Sequence, residues 1–164
     1  MAIQKEWVID TNVLVKADEF VLKNNSGQEY SACFLFLVRF MEKENHVLCV
    51  DEEGIILEQY LKNVNLHFGS FVSAFWKTVV ERGQRISYKN IRGVPKKIEK
   101  ALAELNFDKD DIVFVKVSYV SKDKRIVTTD LGEGDYDENV REYLKNIGIT
   151  VYPPTRAKDI ISNE

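Results

Sequence analysis

Four acidic residues stand where chemistry would be expected. They are Asp10 in Val8-Ile9-Asp10-Thr11-Asn12, Glu58 in Leu57-Glu58-Gln59-Tyr60, Asp111 at the end of Asp108-Lys109-Asp110-Asp111, and Asp130 after Ile126-Val127-Thr128-Thr129. Asp10 and Asp130 each close a short apolar run that reads as a strand, and open parallel sheets bind ligands at the carboxyl ends of their strands. Asp111 would join them at a helix start if the connections are the usual right-handed crossovers. Each acid also has an ordinary reading: an N-cap for Asp10 or Asp111, a solvated helical side chain for Glu58. Brought together without a basic partner, the four would repel one another and take up protons unless a cation sat among them. Oxygen-only ligation selects Mg²⁺ or Mn²⁺ over zinc. Such a site activates water and stabilises charge developing on a phosphoryl group, so phosphodiester hydrolysis is the matching chemistry.

The elements that must position these acids follow from the alternation of short apolar runs with amphipathic stretches, a pattern of βα units around a mostly parallel sheet. Strands are predicted at Trp7–Asp10, His46–Val50, Arg125–Thr129 and Ile149–Tyr152, with a small further one at Ile86–Tyr88. Helices are predicted at Gln28–Glu44, Glu52–Leu66, Phe71–Val80, Pro95–Leu105 and Asp137–Asn146. In the second of these, Ile56, Leu57, Tyr60, Leu61 and Val64 form the apolar stripe, and Glu58 falls at its border. The segment Asp108–Val120 is divided. Its β-branched residues favour a strand, whereas Asp108 followed by Asp111 resembles a helix N-terminus. The third strand of the sheet is not identified.

These fragments together resemble the PIN-domain ribonucleases. Val8-Ile9-Asp10-Thr11-Asn12 is similar to that family's opening motif, Glu58 to its helical acid, Asp111 to its helix-opening aspartate, and Val127-Thr128-Thr129-Asp130 to its last strand-end motif, in order from Val8 to Val151. The resemblance implies a three-layer α/β/α fold with a parallel, about five-stranded sheet, an Mg²⁺ or Mn²⁺ site held by Asp10, Glu58, Asp111 and Asp130, and endonucleolytic cleavage of RNA to a 5′ phosphate and a 3′ hydroxyl. It further implies supporting roles for Asn12, Thr129 and Asp135. It resolves Asp108–Val120 toward helix. Many small members are toxins held by an antitoxin protein, which is the expected biological setting. The chain departs from the family in its bulky Ile112-Val113-Phe114-Val115 and in its longer, more acidic loop after Asp130, where Glu133 and Asp135 compete for a place in the site.

Composition bounds the rest. With 164 residues, 45% hydrophobic and 30% charged, the chain is long enough to bury a core in one domain, expected over residues 1–154 with a tail at 155–164. The longest apolar run, Ala32–Val38, is far too short to cross a membrane, and the chain opens without a signal-peptide pattern, so a cytoplasmic protein is expected. Cys33 and Cys49 read as buried thiols, and His46 and His67 as structural residues.

The net charge of −3 conceals a basic strip over residues 82–100, with seven basic residues against Glu99 alone. Arg85, Lys89, Arg92, Lys96 and Lys97 suit nucleic-acid phosphates, with Tyr88 placed to stack on a base. A catalytically inactive nucleic-acid-binding or scaffold protein using this strip is therefore the alternative to an enzyme. A haloacid dehalogenase-type phosphatase would need a second acid where Asn12 stands, and a receiver domain lacks a counterpart of Glu58. The apolar content of residues 28–44 also makes a homodimer conceivable.

Overall fold

Five short strands rich in buried β-branched residues pair in parallel and form the centre of the molecule: β1 (Lys5–Ile9), β2 (His46–Asp51), β3 (Ile86–Lys89), β4 (Arg125–Val127) and a strand at Thr150–Tyr152. Two further two-residue strands, β5 (Leu131–Gly132) and β6 (Tyr136–Asp137), pair with each other outside this sheet, so the strand at Thr150–Tyr152 is β7. The sheet order is β3-β2-β1-β4-β7. The computed structural model describes residues 3–164; Met1 and Ala2, where the expected domain begins, lie outside the described residues.

Parallel strands need crossovers, which bury both faces of the sheet and account for the nearly continuous apolar runs Trp7–Ile9 and Val47–Val50. The helices are α1 (Thr11–Leu22), α2 (Gln28–Glu42), α3 (Ile55–Asn63), α4 (Phe71–Trp76, continued by a π turn to Arg82), α5 (Lys96–Glu104), α6 (Ile112–Val120), α7 (Glu138–Asn146) and α8 (Pro154–Ser162). The arrangement is a three-layer α/β/α fold. Helix α6 lies across β1, β2 and β4, while α2 packs against α1 and α8. Phe36 of α2 meets the ring of Trp7 in β1 edge-on at 5.2 Å.

The third strand is β3, the short segment at Ile86, now an edge of the sheet. The divided segment is helical: Asp108 caps a 3₁₀ turn at Lys109–Asp111 by accepting from the Asp110 N–H at 2.9 Å, and α6 follows. Its β-branched residues are tolerated because Ile112, Val113, Phe114, Val115 and Val117 are all buried, so tertiary packing outweighs propensity.

One expectation is corrected. Residues 155–164 are not a tail: α8 buries Ala157 and Ile161, and Arg39 of α2 donates to the Lys158 carbonyl at 2.6 Å. The apolar face of α2, Ala32, Cys33, Phe36, Leu37 and Phe40, is covered within the chain. Helix α1, which the sequence analysis leaves unassigned, joins β1 directly. Among the described residues, no helix is long and apolar enough to cross a membrane.

Candidate acidic metal centre

Asp10 leaves the end of β1 as the N-cap residue of α1, yet its side chain makes no capping bond to the helix. It turns instead toward β4. The parallel register pairs Ile9 with Val127, so Asp10 stands beside Thr128. The Thr128 hydroxyl donates to Asp10 Oδ2 at 2.7 Å, and Asn12 Nδ2 donates to the same oxygen at 3.1 Å. Thr128 Oγ1 in turn accepts from the Asp130 N–H at 3.0 Å, and Asn12 Oδ1 accepts from the Thr129 N–H at 3.1 Å. This network ties both strand ends together and fixes the Asp10 carboxylate.

The loop after Asp130 folds back through β5 and β6. The Asp135 N–H donates to Asp130 Oδ2 at 3.1 Å, and the Tyr136 N–H to the Asp130 carbonyl at 3.0 Å. Gly134 makes this return possible, because a Cβ there would collide with the Asp130 carboxylate. From the other side, the Asp108 N–H donates to Asp135 Oδ1 at 3.1 Å. Carboxylate oxygens of Asp108, Asp111 and Asp135 lie within 4.8 Å of one another, whereas Glu133 is exposed and outside that group.

The electrostatics follow from that crowding. Burial pushes the Asp10 carboxyl up to about 6, against the Thr128 and Thr11 hydrogen bonds, with the charges of Asp130 and Asp135 adding to the rise. Asp111 is pushed up to about 8 by burial, by sharing a hydrogen bond with Asp135, and by the charges of Asp10, Asp135 and Asp108. Among the described residues none of these acids has an ion-pair partner. A set of oxygen donors that cannot all ionise alone fits a hard divalent cation. Asp108, Asp111 and Asp135 have oxygens close enough together to share one ion, and Asp10 and Asp130 line the cavities that meet there.

Three cavities meet at Asp111. One of about 450 Å³ holds Asp10, Asn12, Asp111 and Asp130; one of about 500 Å³ holds Asp108, Asp111, Asp130 and Asp135; and one of about 730 Å³ runs from Asp111 between α3 and α5.

Glu58 does not enter the centre. Its side chain is 67% exposed and pairs with Lys62 at 3.2 Å along the helix; it borders only the largest cavity. The stripe inferred from sequence was too broad, since Leu61 is exposed and the truly buried residues of α3 are Ile56 and Tyr60. At 100° per residue Glu58 lies almost opposite Tyr60, whose hydroxyl donates to the Ile9 carbonyl. Gln59 faces the site instead, accepting from Thr11 Oγ1 at 3.3 Å and donating to the Asp110 carbonyl at 2.7 Å.

Thr129 contributes only its backbone N–H, and the positioning hydroxyl is that of Thr128. Asn12 bonds to Asp10 and to the Thr129 N–H, and Asp135 lies beside Asp108 and Asp111. The sequence analysis missed Thr128, Gln59 and the ligand potential of Asp108, for which the only signal was proximity to the predicted acids. The strand-end Asp51 shows how weak that signal is: its carboxylate is spent capping α3, accepting from the Ile55 and Ile56 N–H groups at 2.9 Å each.

The basic strip is divided. Arg85 is a structural clamp whose guanidinium donates to the carbonyls of Phe40, Met41, Lys43 and His46, closing the C-terminal end of α2, so it is not free for phosphates. Lys89 is paired with Glu6 at 2.8 Å, both side chains largely buried. Tyr88 is 55% exposed on the edge strand but lines none of the cavities that contain the acids. Lys97 and Arg92 are exposed, Arg92 lying 3.9 Å from Glu53, and Lys96 and Arg92 border the largest cavity.

The remaining candidates are structural. His46 is buried and accepts from Trp7 Nε1 at 2.8 Å, and burial pushes it down to about 4. Cys33 and Cys49 are free and buried, their thiols pushed up to about 12 by burial. Comparison with protein-family models and with curated proteins gives no match.

Proposed function

We propose that the chain is a metal-dependent endonuclease of the PIN-domain kind, hydrolysing RNA phosphodiester bonds at the acidic centre. The observation that carries this reading is the gathering of Asp10, Asp111 and Asp130 around one cavity and of Asp108, Asp111, Asp130 and Asp135 around the one beside it, none ion-paired among the described residues and with Asp10 locked by Thr128 and Asn12. An Mg²⁺ or Mn²⁺ ion bound there supplies Lewis-acid polarisation of a phosphoryl oxygen and a water acidified toward neutral pH. The chain's own residues do the rest. Asp111, pushed up to about 8, would give up its proton as the cation binds, Thr128 and Asn12 keep Asp10 in one orientation, and Gln59 anchors the Asp110 turn that carries Asp111. The products are a 5′ phosphate and a 3′ hydroxyl. The biological setting we propose is the cytoplasm, as the toxin of a pair whose antitoxin is a separate protein.

The inactive binding or scaffold reading has less support, because Arg85 and Lys89 of the basic strip are committed to internal contacts. The experiment that separates the two is cleavage of end-labelled single-stranded RNA in Mn²⁺, Mg²⁺ or EDTA by wild type and by folded Asp10→Asn and Asp130→Asn variants. Metal-dependent cutting that both variants lose supports the enzyme. Salt-sensitive RNA binding with no cutting in any metal overturns it.

A further inference from the structure

The cavity that contains Asp10, Asp111 and Asp130 does not end at the carboxylates. It continues along α1 to the first turn of α2, where Lys16 and Tyr30 enter its wall. Among the described residues lining it, Lys16 is the one cation and Tyr30 the one aromatic. The two are held together: Lys16 Nζ sits 5.5 Å from the Tyr30 ring centroid and 2.6 Å from Glu29 Oε2. Gly27 backs the ring, since a Cβ there would lie 3.2 Å from Tyr30 Cδ2. Tyr30 is half-buried but stands apart from the hydrophobic core cluster, so core packing does not account for an aromatic at this place.

A positioned aromatic ring, a cation and a row of carboxylates in one cleft match the parts of a single nucleotide: a π face, a phosphate charge and a reacting phosphoryl group. Aromatic stacking is the sequence-tolerant way to hold an unpaired base, and the half-exposed Lys16–Glu29 pair beside the ring would open so that Lys16 takes the phosphate that accompanies it. A base inside a duplex presents no free face to a side chain. In the same wall Asn63 donates its amide nitrogen to the Gln59 carbonyl, which leaves its side-chain oxygen as an acceptor for a base edge.

We propose that Lys16 and Tyr30 form a nucleotide subsite beside the acidic centre, in which Tyr30 stacks on one unpaired base and Lys16 neutralises its phosphate. This inference rests on the nuclease reading and adds to it the residues that grip the strand. It also moves base recognition from Tyr88, on the sheet edge, to the middle of α1 and the start of α2.

The probes are a fluorescein-labelled 12-nucleotide single-stranded RNA of mixed sequence and an abasic ribose-phosphate strand of the same length and charge. Binding is read by anisotropy in Ca²⁺ for wild type, Tyr30→Ala, Tyr30→Trp and Lys16→Gln. Wild type is expected to prefer the base-bearing strand by about 5- to 150-fold, the range that one stacked base supplies. Tyr30→Ala should bind both strands as wild type binds the abasic one, and Tyr30→Trp should keep the preference. Lys16→Gln should weaken both strands alike and reduce the salt dependence by about one charge. A preference that survives in Tyr30→Ala, or is absent from wild type, overturns the subsite. Cleavage of the same RNA in Mn²⁺ separates the two levels. If wild type cuts but Tyr30→Ala keeps its preference, the subsite alone is wrong; if wild type neither binds nor cuts, the nuclease reading falls and the subsite with it.

Discussion

Asp10→Asn should make the metal-free protein more stable while abolishing its response to metal. The buried Asp10 carboxyl is raised from its ordinary 3.8 to about 6, so the folded state holds its proton more tightly than the unfolded chain does. Stability therefore falls as pH rises from about 4 to 6, and above that window the fold carries the whole cost of an ionised buried acid. At about 1.4 kcal/mol per tenfold change in proton affinity, that cost is about 3 kcal/mol. Asparagine keeps an acceptor for Thr128 and Asn12 but loses the charge assistance, which takes back roughly 1 kcal/mol. A net gain of about 2 kcal/mol corresponds to a rise in Tm of about 4–8 °C for a chain of this size. Thermal melts in EDTA at pH 8 should show that rise, and melts at pH 4.5 should show little difference. Adding Mn²⁺ should stabilise the wild type by about 2.7 kcal/mol at a hundredfold excess over Kd, raising its Tm, and leave the variant unmoved. The reasoning is refuted if the variant melts below wild type at pH 8, or if Mn²⁺ stabilises both equally.

Thr128→Val should remove the hydroxyl that orients Asp10 and lower metal affinity, read by Mn²⁺ titration, with no comparable effect from Thr129→Val. Arg85→Gln should cost about 2–3 kcal/mol in urea unfolding, through the carbonyls it leaves open at the end of α2, without changing RNA affinity; unchanged stability with weakened RNA binding would restore it to the nucleic-acid surface. Glu58→Gln should cleave as wild type does, whereas Gln59→Leu, which frees the Asp110 turn, should lose activity. Gly134→Ala should displace the Asp130 carboxylate and abolish the Mn²⁺-dependent rise in Tm.

The alternating sheet and most of the helices are legible in the chain because they rest on local periodicity and on strong stop signals such as Gly148 and Pro153-Pro154. Elements whose stability comes from distant packing are less legible. Residues 155–164 have a polar composition, and only the cover they give to α2 makes them a helix. Helix α6 looks half like a strand until its burial on all sides is known.

For the site, sequence alone determined which acids end strands or open a helix, because those positions follow from where apolar runs stop. It therefore pointed to Asp10, Asp111 and Asp130, which the fold brings to one cavity. Tertiary structure decided which acids were free to act: Asp51 ends a strand as Asp10 does, yet gives both oxygens to α3. It decided equally that Gln59 faces the cleft and Glu58 the solvent, that Thr128 rather than Thr129 orients Asp10, and that Arg85 closes a helix. In each case the choice between neighbouring residues depends on rotation and register, which contacts far along the chain impose and local composition does not encode.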